Sequence, residues 1–133
     1  MKPEYIAGFF DGEGSLILRV RKDQRYKNGF QIKPHIDVTQ KNPKVLRKIQ
    51  HELNMGKIYK NSSDDVCHLC IYQTDDIVKF LELIKNHVIV KKAKLNKFLY
   101  CLKMFQNKKH LSQSGFERIK TVWFGRESEA NTP

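Results

Sequence analysis

The sequence predicts an α+β fold: a four-stranded antiparallel sheet with helices packed on one of its faces. Two observations predict it. Two pairs of segments alternate apolar and polar residues, and a turn signal joins the members of each pair. Around them lie stretches whose apolar residues recur at helical spacing, so each helix has one stripe to bury against the sheet. The order is helix, strand, strand, helix, strand, strand, helix, followed by a helical addition. No segment repeats and no composition shift marks a boundary. Residues 1–133 therefore read as a single domain, with a core of about 3–106 and a C-terminal helical addition at 107–124.

Each element has its own signal. Pro3 suits the first turn of a helix that runs to about Gly12. From Ser15 to Lys22 the chain alternates, with Leu16, Leu18 and Val20 on one face. Lys27-Asn28-Gly29 is a turn, and Phe30 to Gln40 returns as a second strand with Ile32, Ile36 and Val38 inward. Pro34 lacks a backbone N–H, so it predicts an edge position or a bulge. Asn42 caps a helix with Pro43 at its first position, an apolar stripe of Val45, Leu46, Ile49 and Leu53, and Gly56 at its end. Lys57–Asn61 and Val66–Gln73 form a second hairpin around Asn61-Ser62-Ser63-Asp64-Asp65. Thr74-Asp75-Asp76 opens a helix with Ile77, Phe80, Leu81 and Ile84 inward. Another helix spans about Lys91 to Gln106, and a short final one about Ser114 to Phe124. Gly125 to Pro133 read as frayed.

Composition narrows the function. A chain of 133 residues with 40% hydrophobic content can bury a core. Its net charge of +11 favours a polyanionic partner, nucleic acid before an anionic membrane. No apolar run approaches transmembrane length and no basic amphipathic helix opens the chain, so no membrane partner is expected. The charge is concentrated. Ten Lys/Arg lie between Ser15 and Gln50 against only Asp23 and Asp37, and eight lysines with no acid lie between Lys85 and Lys109. Solvated surfaces mix signs, so blocks of one sign argue for phosphate contacts. Three cysteines, an odd count, point to a reducing compartment inside the cell. An archaeal cytoplasm or an organelle suits equally, and no signal or transit peptide is expected because the chain enters its first helix at once. Cys67-His68-Leu69-Cys70 has the spacing of half a zinc site, but a strand puts the two thiols on opposite faces and no second pair completes the ligands. Structural zinc is not expected.

The acidic exception is informative. Tyr5-Ile6-Ala7-Gly8-Phe9-Phe10-Asp11-Gly12-Glu13-Gly14 begins as an apolar helix and ends in two carboxylates interleaved with glycines. A helix C-terminus already carries partial negative charge and unpaired carbonyls. Asp11 and Glu13 worsen that repulsion unless a cation binds there, and oxygen ligands suit a hard divalent ion such as Mg2+. Gly8 and Gly12 fall on one helical face, where with Ala7 they allow another backbone to approach closely.

The sheet face turned away from the helices should carry Ile17, Arg19, Arg21, Gln31, Lys33, His35, Asp37 and Thr39 from the first hairpin. The second adds Lys57, Tyr59, Asn61, His68, Cys70 and Tyr72. Arg and Lys match guanine, Gln and Asn match adenine, and Asp accepts from cytosine. A surface that only held phosphates would not need Gln31, Asp37 or Asn61. A two-stranded ribbon also fits the major groove of double-stranded DNA.

The stretch Tyr5–Ser15 resembles the signature of the LAGLIDADG homing endonucleases, including the alternation of glycine and acid. Later segments fit as well, to about residue 105. The resemblance implies the LAGLIDADG endonuclease fold and a metal-dependent DNA endonuclease using Mg2+ or another divalent cation such as Mn2+. By resemblance, Glu13 matches the metal-binding acid and the Gly12 carbonyl the adjoining ligand, with Asp11 as an additional candidate. Many members carry Asp where this chain has Glu13. Gln40, in Val38-Thr39-Gln40-Lys41, matches a residue that orients the attacking water. Lys44 matches a basic residue near the same waters, with Lys in place of the more familiar Arg. Lys91 matches the basic residue that organises water and stabilises developing phosphate charge, and Lys92 is the alternative.

One motif per chain resembles the family's homodimeric members. It implies two copies packed about a two-fold axis through Ala7, Gly8, Asp11 and Gly12, acting on a long, nearly palindromic site, with the protein itself intron-encoded. Each protomer would cut one strand across the minor groove. Two other readings use the same fold: an RNA maturase that assists splicing of intron RNA, and a non-catalytic DNA-binding regulator. A helix-turn-helix built from 91–106 and 114–124 would need a linker longer than the usual turn.

Overall fold

Pro3 opens α1 (Pro3–Glu13), and the chain passes without a loop into β1 (Gly14–Lys22). The computed structural model describes residues 1–130. After β1 come β2 (Phe30–Gln40), α2 (Lys44–Leu53), β3 (Lys57–Lys60), β4 (Cys67–Ile71), α3 (Thr74–Ile84) and α4 (Lys92–Gln106). A 3-10 turn at Lys109–Leu111 leads into α5 (Gln113–Ala130), which is broken at Gly125. Of the stretch expected to fray, 126–130 is helical past that break, and 131–133 lie outside the described residues.

The four strands form one antiparallel sheet in the order β1-β2-β4-β3. β2 is therefore central, yet it contains Pro34. The register explains the tolerance: β2 pairs with β1 along Gly14–Lys22, but with β4 only from Ile36 to Gln40. At Pro34, opposite Leu18, the strand has a neighbour on one side only, so a central strand is locally an edge. No bulge interrupts the pairing. Gly29 turns the first hairpin at φ +80°, a conformation costly for any residue with a Cβ.

Leu16, Leu18, Ile32, Ile36, Val38, Leu69 and Ile71 point to one side of the sheet and are buried there under the helices. The helices contribute Ile6, Phe10, Leu46, Ile49, Ile77, Phe80, Leu81, Leu95, Phe98 and Leu102 to the same core. Phe10 meets Phe80 edge-on at 5.7 Å, which fixes α1 against α3. α2 begins one residue later than expected, with Pro43 rather than Asn42 at the N-cap position, and the Asn42 side chain accepts the Lys44 N–H at 3.0 Å just ahead of it. That helix ends at Leu53 on a left-handed Asn54, two residues before Gly56.

The C-terminal segment is part of this core rather than an appendage to it. Phe116 and Ile119 are fully buried in the common cluster, and Trp123 packs edge-on against Phe98 of α4 at 5.0 Å. Phe116 also stacks on Phe30 at 5.1 Å, so α5 braces the far end of the β1–β2 hairpin.

Candidate active site and nucleic-acid interface

The direct junction of α1 and β1 sets the position of the acidic end. A Cβ on Gly14 would lie 2.2 Å from the Phe10 ring, so only glycine lets Phe10 seal the core beneath the junction. Glu13 is thereby held at the exposed rim where helix becomes strand. The last-turn carbonyls of α1 are mostly occupied. Phe10 O accepts the Gly14 N–H, Asp11 O accepts the Lys91 ammonium at 2.6 Å, and Glu13 O accepts the Thr39 hydroxyl at 3.4 Å. The Gly12 carbonyl has no donor from outside its helix among the described residues. A free carbonyl beside an exposed carboxylate is a pair of hard oxygen donors, a set that fits a divalent cation of the Mg2+ type.

Asp11, expected as a further metal ligand and as a dimer contact, is engaged with backbone of its own chain. One carboxylate oxygen accepts the Ile89 N–H at 2.7 Å and the other the Lys91 N–H at 3.0 Å. Partial burial is the largest single influence on its pKa and acts to raise it. The N–H groups of Ile89, Lys91 and Val90, with the Lys91 charge, together outweigh that and hold the carboxyl below its ordinary value. Asp11 thus anchors the segment between α3 and α4 to the end of α1. Lys91 caps α4, which begins one residue later than expected, and its ammonium neutralises the negative end of the α1 dipole.

Gln40 ends β2. Gly14 pairs with Val38 and the Thr39 hydroxyl reaches Glu13, and Gln40 is the next residue along the strand. Its side-chain oxygen accepts the Lys41 N–H at 3.0 Å. Lys44 is exposed and opens onto a groove with Met1, Lys2, Tyr5, Val45 and Lys48, toward the N-terminal half of α1. Lys91 is thus bound at the C-terminal end of α1 and Gln40 follows the residue that reaches Glu13, whereas Lys44 opens toward the other end of that helix.

The opposite face of the sheet is open. A groove of about 720 Å3 runs along it, lined by Ile17, Arg19, Arg21, Gln31, Lys33, His35, Asp37, Tyr59 and Tyr72 of the expected residues. Ile32 and Pro34 also line it, as do Tyr26, Thr74 and Phe105 from outside the strands, which no alternation could reveal. Arg19 pairs directly with Lys33 across the hairpin, an arrangement of like charges that is unfavourable without an anion between them. The two acids of this basic block are both engaged within the chain. Arg25 binds Asp23 through two side-chain bonds and holds its carboxyl down to about 2, and Asp37 is bonded to His68. Thr39, Lys57 and Asn61 lie on or beside the same face, Asn61 at the turn of the second hairpin.

Two expected contacts are corrected. Cys70 faces the open side but is fully buried, bonded to the Tyr59 hydroxyl at 3.3 Å and covered by the two tyrosines, so it cannot reach a partner. Burial pushes its thiol above the ordinary value. Ala7 is likewise completely buried, in the core of its own chain. The surface of α1 left uncovered is the side of Tyr5, Gly8 and Gly12; a Cβ on either glycine would meet nothing within 4 Å.

A family model described as LAGLIDADG endonuclease matches residues 6–112, four-fifths of the chain. The chain belongs to the LAGLIDADG endonuclease family. Probable intron-encoded endonuclease 3 of Neurospora crassa is 25% identical over 127 residues, covering 92% of this chain and 24% of its own length. DNA endonuclease I-CreI of Chlamydomonas reinhardtii is 27% identical over 107 residues, covering 79% and 64%. This LAGLIDADG chain thus spans about a quarter of the first relative and less than two thirds of the second. The solved structure of I-SmaMI bound to its uncleaved DNA target in the presence of calcium ions superposes with a TM-score of 0.86 at 26% identity. The match covers 95% of this chain and 45% of that one. The helix, sheet and connection order expected from sequence is the LAGLIDADG architecture observed. No helix of the described residues is long and apolar enough to cross a membrane.

Proposed function

We propose that the chain is one protomer of a homodimeric, site-specific homing endonuclease that breaks both strands of a long, nearly palindromic DNA site by divalent-metal-dependent hydrolysis. The observation that carries this reading is the Gly12 carbonyl, which has no donor from outside its helix among the described residues, beside the exposed Glu13 carboxylate at the end of a helix whose Gly8–Gly12 side is open. Among the described residues no group of three or more His, Cys, Asp or Glu side chains could hold a metal. One chain therefore supplies only part of a coordination shell. That suits Mg2+, which keeps several waters and takes one or two carboxylates plus phosphate oxygens. When bound, such an ion, or Mn2+ in its place, supplies charge neutralisation at the phosphate and a water of lowered pKa.

The residues have separable tasks. Glu13 and the Gly12 carbonyl hold the cation at the rim of the sheet. Gln40, next to the residue that reaches Glu13, hydrogen-bonds and orients the attacking water once its amide leaves the Lys41 N–H. Lys91 brings a positive charge to the same helix end, where charge develops on the phosphate. Lys44 adds charge along the adjoining backbone. Packing two α1 helices through Gly8 and Gly12 would bring two Glu13 carboxylates to one short stretch of DNA, one per strand.

The sheet sets the reach. The nine residues of β1 extend roughly 30 Å at about 3.3 Å each. That is the length of about nine base pairs at 3.4 Å per step, so a two-fold pair would cover on the order of twenty.

The test is incubation with a randomised duplex library and Mg2+, followed by sequencing of the ends, for the native chain and Glu13→Gln. Cleavage at one recurrent site by the native chain, abolished in the variant with DNA binding retained, is expected. Absence of cleavage with every divalent ion would overturn the nuclease reading; cleavage that survives the substitution would overturn the metal assignment.

A further inference from the structure

We infer that Asp37 and His68 act as one base-reading unit, in which Asp37 fixes the His68 ring so that Nε2 presents a hydrogen-bond acceptor to the exocyclic amine of an adenine or cytosine. This rests on reading the open sheet face as the DNA-contacting surface.

The geometry is specific. His68 Nδ1 lies 3.0 and 3.1 Å from the two Asp37 oxygens, across the β2–β4 pairing. An ionised carboxylate only accepts, so the proton of this bond sits on Nδ1. In the neutral ring the other nitrogen then carries a lone pair and no hydrogen. The ring plane is fixed as well. Tyr59, from the neighbouring strand β3, lies flat on it with centroids 5.2 Å apart and planes within 10°. Tyr59 is itself held by its bond to buried Cys70.

The free end of the ring has the hallmark of an unused contact. Nε2 has no partner among the described residues, yet it is not sealed off. The one buried side-chain nitrogen or oxygen without a partner among those residues is His110 Nδ1. A pair serving stability alone would gain nothing from leaving one nitrogen open to solvent on a face rich in Arg and Lys. In the major groove only adenine N6 and cytosine N4 offer hydrogens, whereas guanine and thymine offer acceptors alone. A fixed acceptor therefore favours adenine or cytosine on the contacted strand and repels guanine and thymine. Asp37, spent on orienting His68, is a positioning residue rather than a direct reader of cytosine.

The experiment is a complete base-preference profile of the site, all four bases at each position, for the native protein, Asp37→Asn and His68→Phe. The native protein should prefer adenine or cytosine at one position in each half-site by roughly two- to tenfold, the worth of one hydrogen bond. His68→Phe should flatten that position alone. Asp37→Asn keeps the size, but its amide can donate to Nδ1 and move the proton to Nε2, so the preference there should invert toward guanine or thymine, or vanish. Unchanged preferences at all other positions show that the sheet stays folded. The inference is overturned if the position flattened by His68→Phe had favoured guanine or thymine, if no position is flattened, if Asp37→Asn leaves the profile unaltered, or if it weakens every position alike. A native protein with no base preference anywhere would instead overturn the DNA-reading role of the sheet.

Discussion

Asp11 and Glu13 stand two residues apart, about 200° around the axis of α1, and so face different surroundings. Asp11 turns inward to the N–H groups of Ile89 and Lys91, while Glu13 meets solvent at the rim. Asp11→Asn should test the anchoring role. An amide has one accepting oxygen, so one of the two N–H groups loses its partner, and stability should fall by about 1–2 kcal/mol in thermal unfolding. Lys91 is then less well placed, so cleavage at saturating DNA should slow while DNA affinity stays close to native. The pH dependence has a definite sign. A carboxyl held below its unfolded value of 3.8 contributes stability above that pH and loses it as pH falls through the folded value. The gap between native and variant should therefore close in acid. The acidity of this helix end was legible in the chain, but its division of labour was not, because the partners of Asp11 lie 78 and 80 residues away.

The β1–β2 hairpin carries most of the basic residues of the open face, and the C-terminal segment holds it in place. Asn28 donates to the His110 carbonyl at 3.0 Å, Phe30 stacks on Phe116, and His110 stacks on Phe105 at 4.0 Å. Removing the Phe116 ring (Phe116→Ala) should cost about 3–5 kcal/mol in denaturant unfolding, with a loss of DNA affinity as the hairpin loosens. His110 adds an acid sensitivity. Burial holds its pKa below the ordinary 6.5, so its neutral form supports the fold above that pH. The unfolded chain takes up the proton first as pH falls, and stability is lost toward the folded value. His110→Phe should flatten that part of the stability profile, measured by melting temperature across mildly acidic buffers. Periodicity located the hairpin strands and the start of the last helix within a residue. It could not show that the last helix belongs to the core, since a short amphipathic segment says only that one face is buried, not against what.

At the scale of the molecule the charge becomes a surface. Of the basic block between Ser15 and Gln50, the two acids are engaged within the chain, leaving Arg19, Arg21 and Lys33 around one groove. DNA binding should weaken steeply with salt, log K falling against log[salt] with a slope of about −0.9 per phosphate neutralised. Arg19→Ala should reduce that slope by about one and Glu13→Gln should not. Sedimentation of the DNA complex should find two chains per duplex; a single chain on every duplex would overturn the homodimer.

Local rules determined the alternation of the strands, the helix start at Pro3, the excess of positive charge and the Tyr5–Gly14 stretch that marks the family. These depend on neighbours within a turn or a strand, which a chain carries with it. Tertiary structure decided which of the equivalent-looking residues remain available. It buried Ala7 in the core and Cys70 beneath two tyrosines, spent Asp11 on a distant backbone, tied Asp37 to His68, and left Gly8, Gly12 and Glu13 open. Period alone assigns a residue to a face. Whether that face is free depends on partners tens of residues away, and only folding brings those into contact.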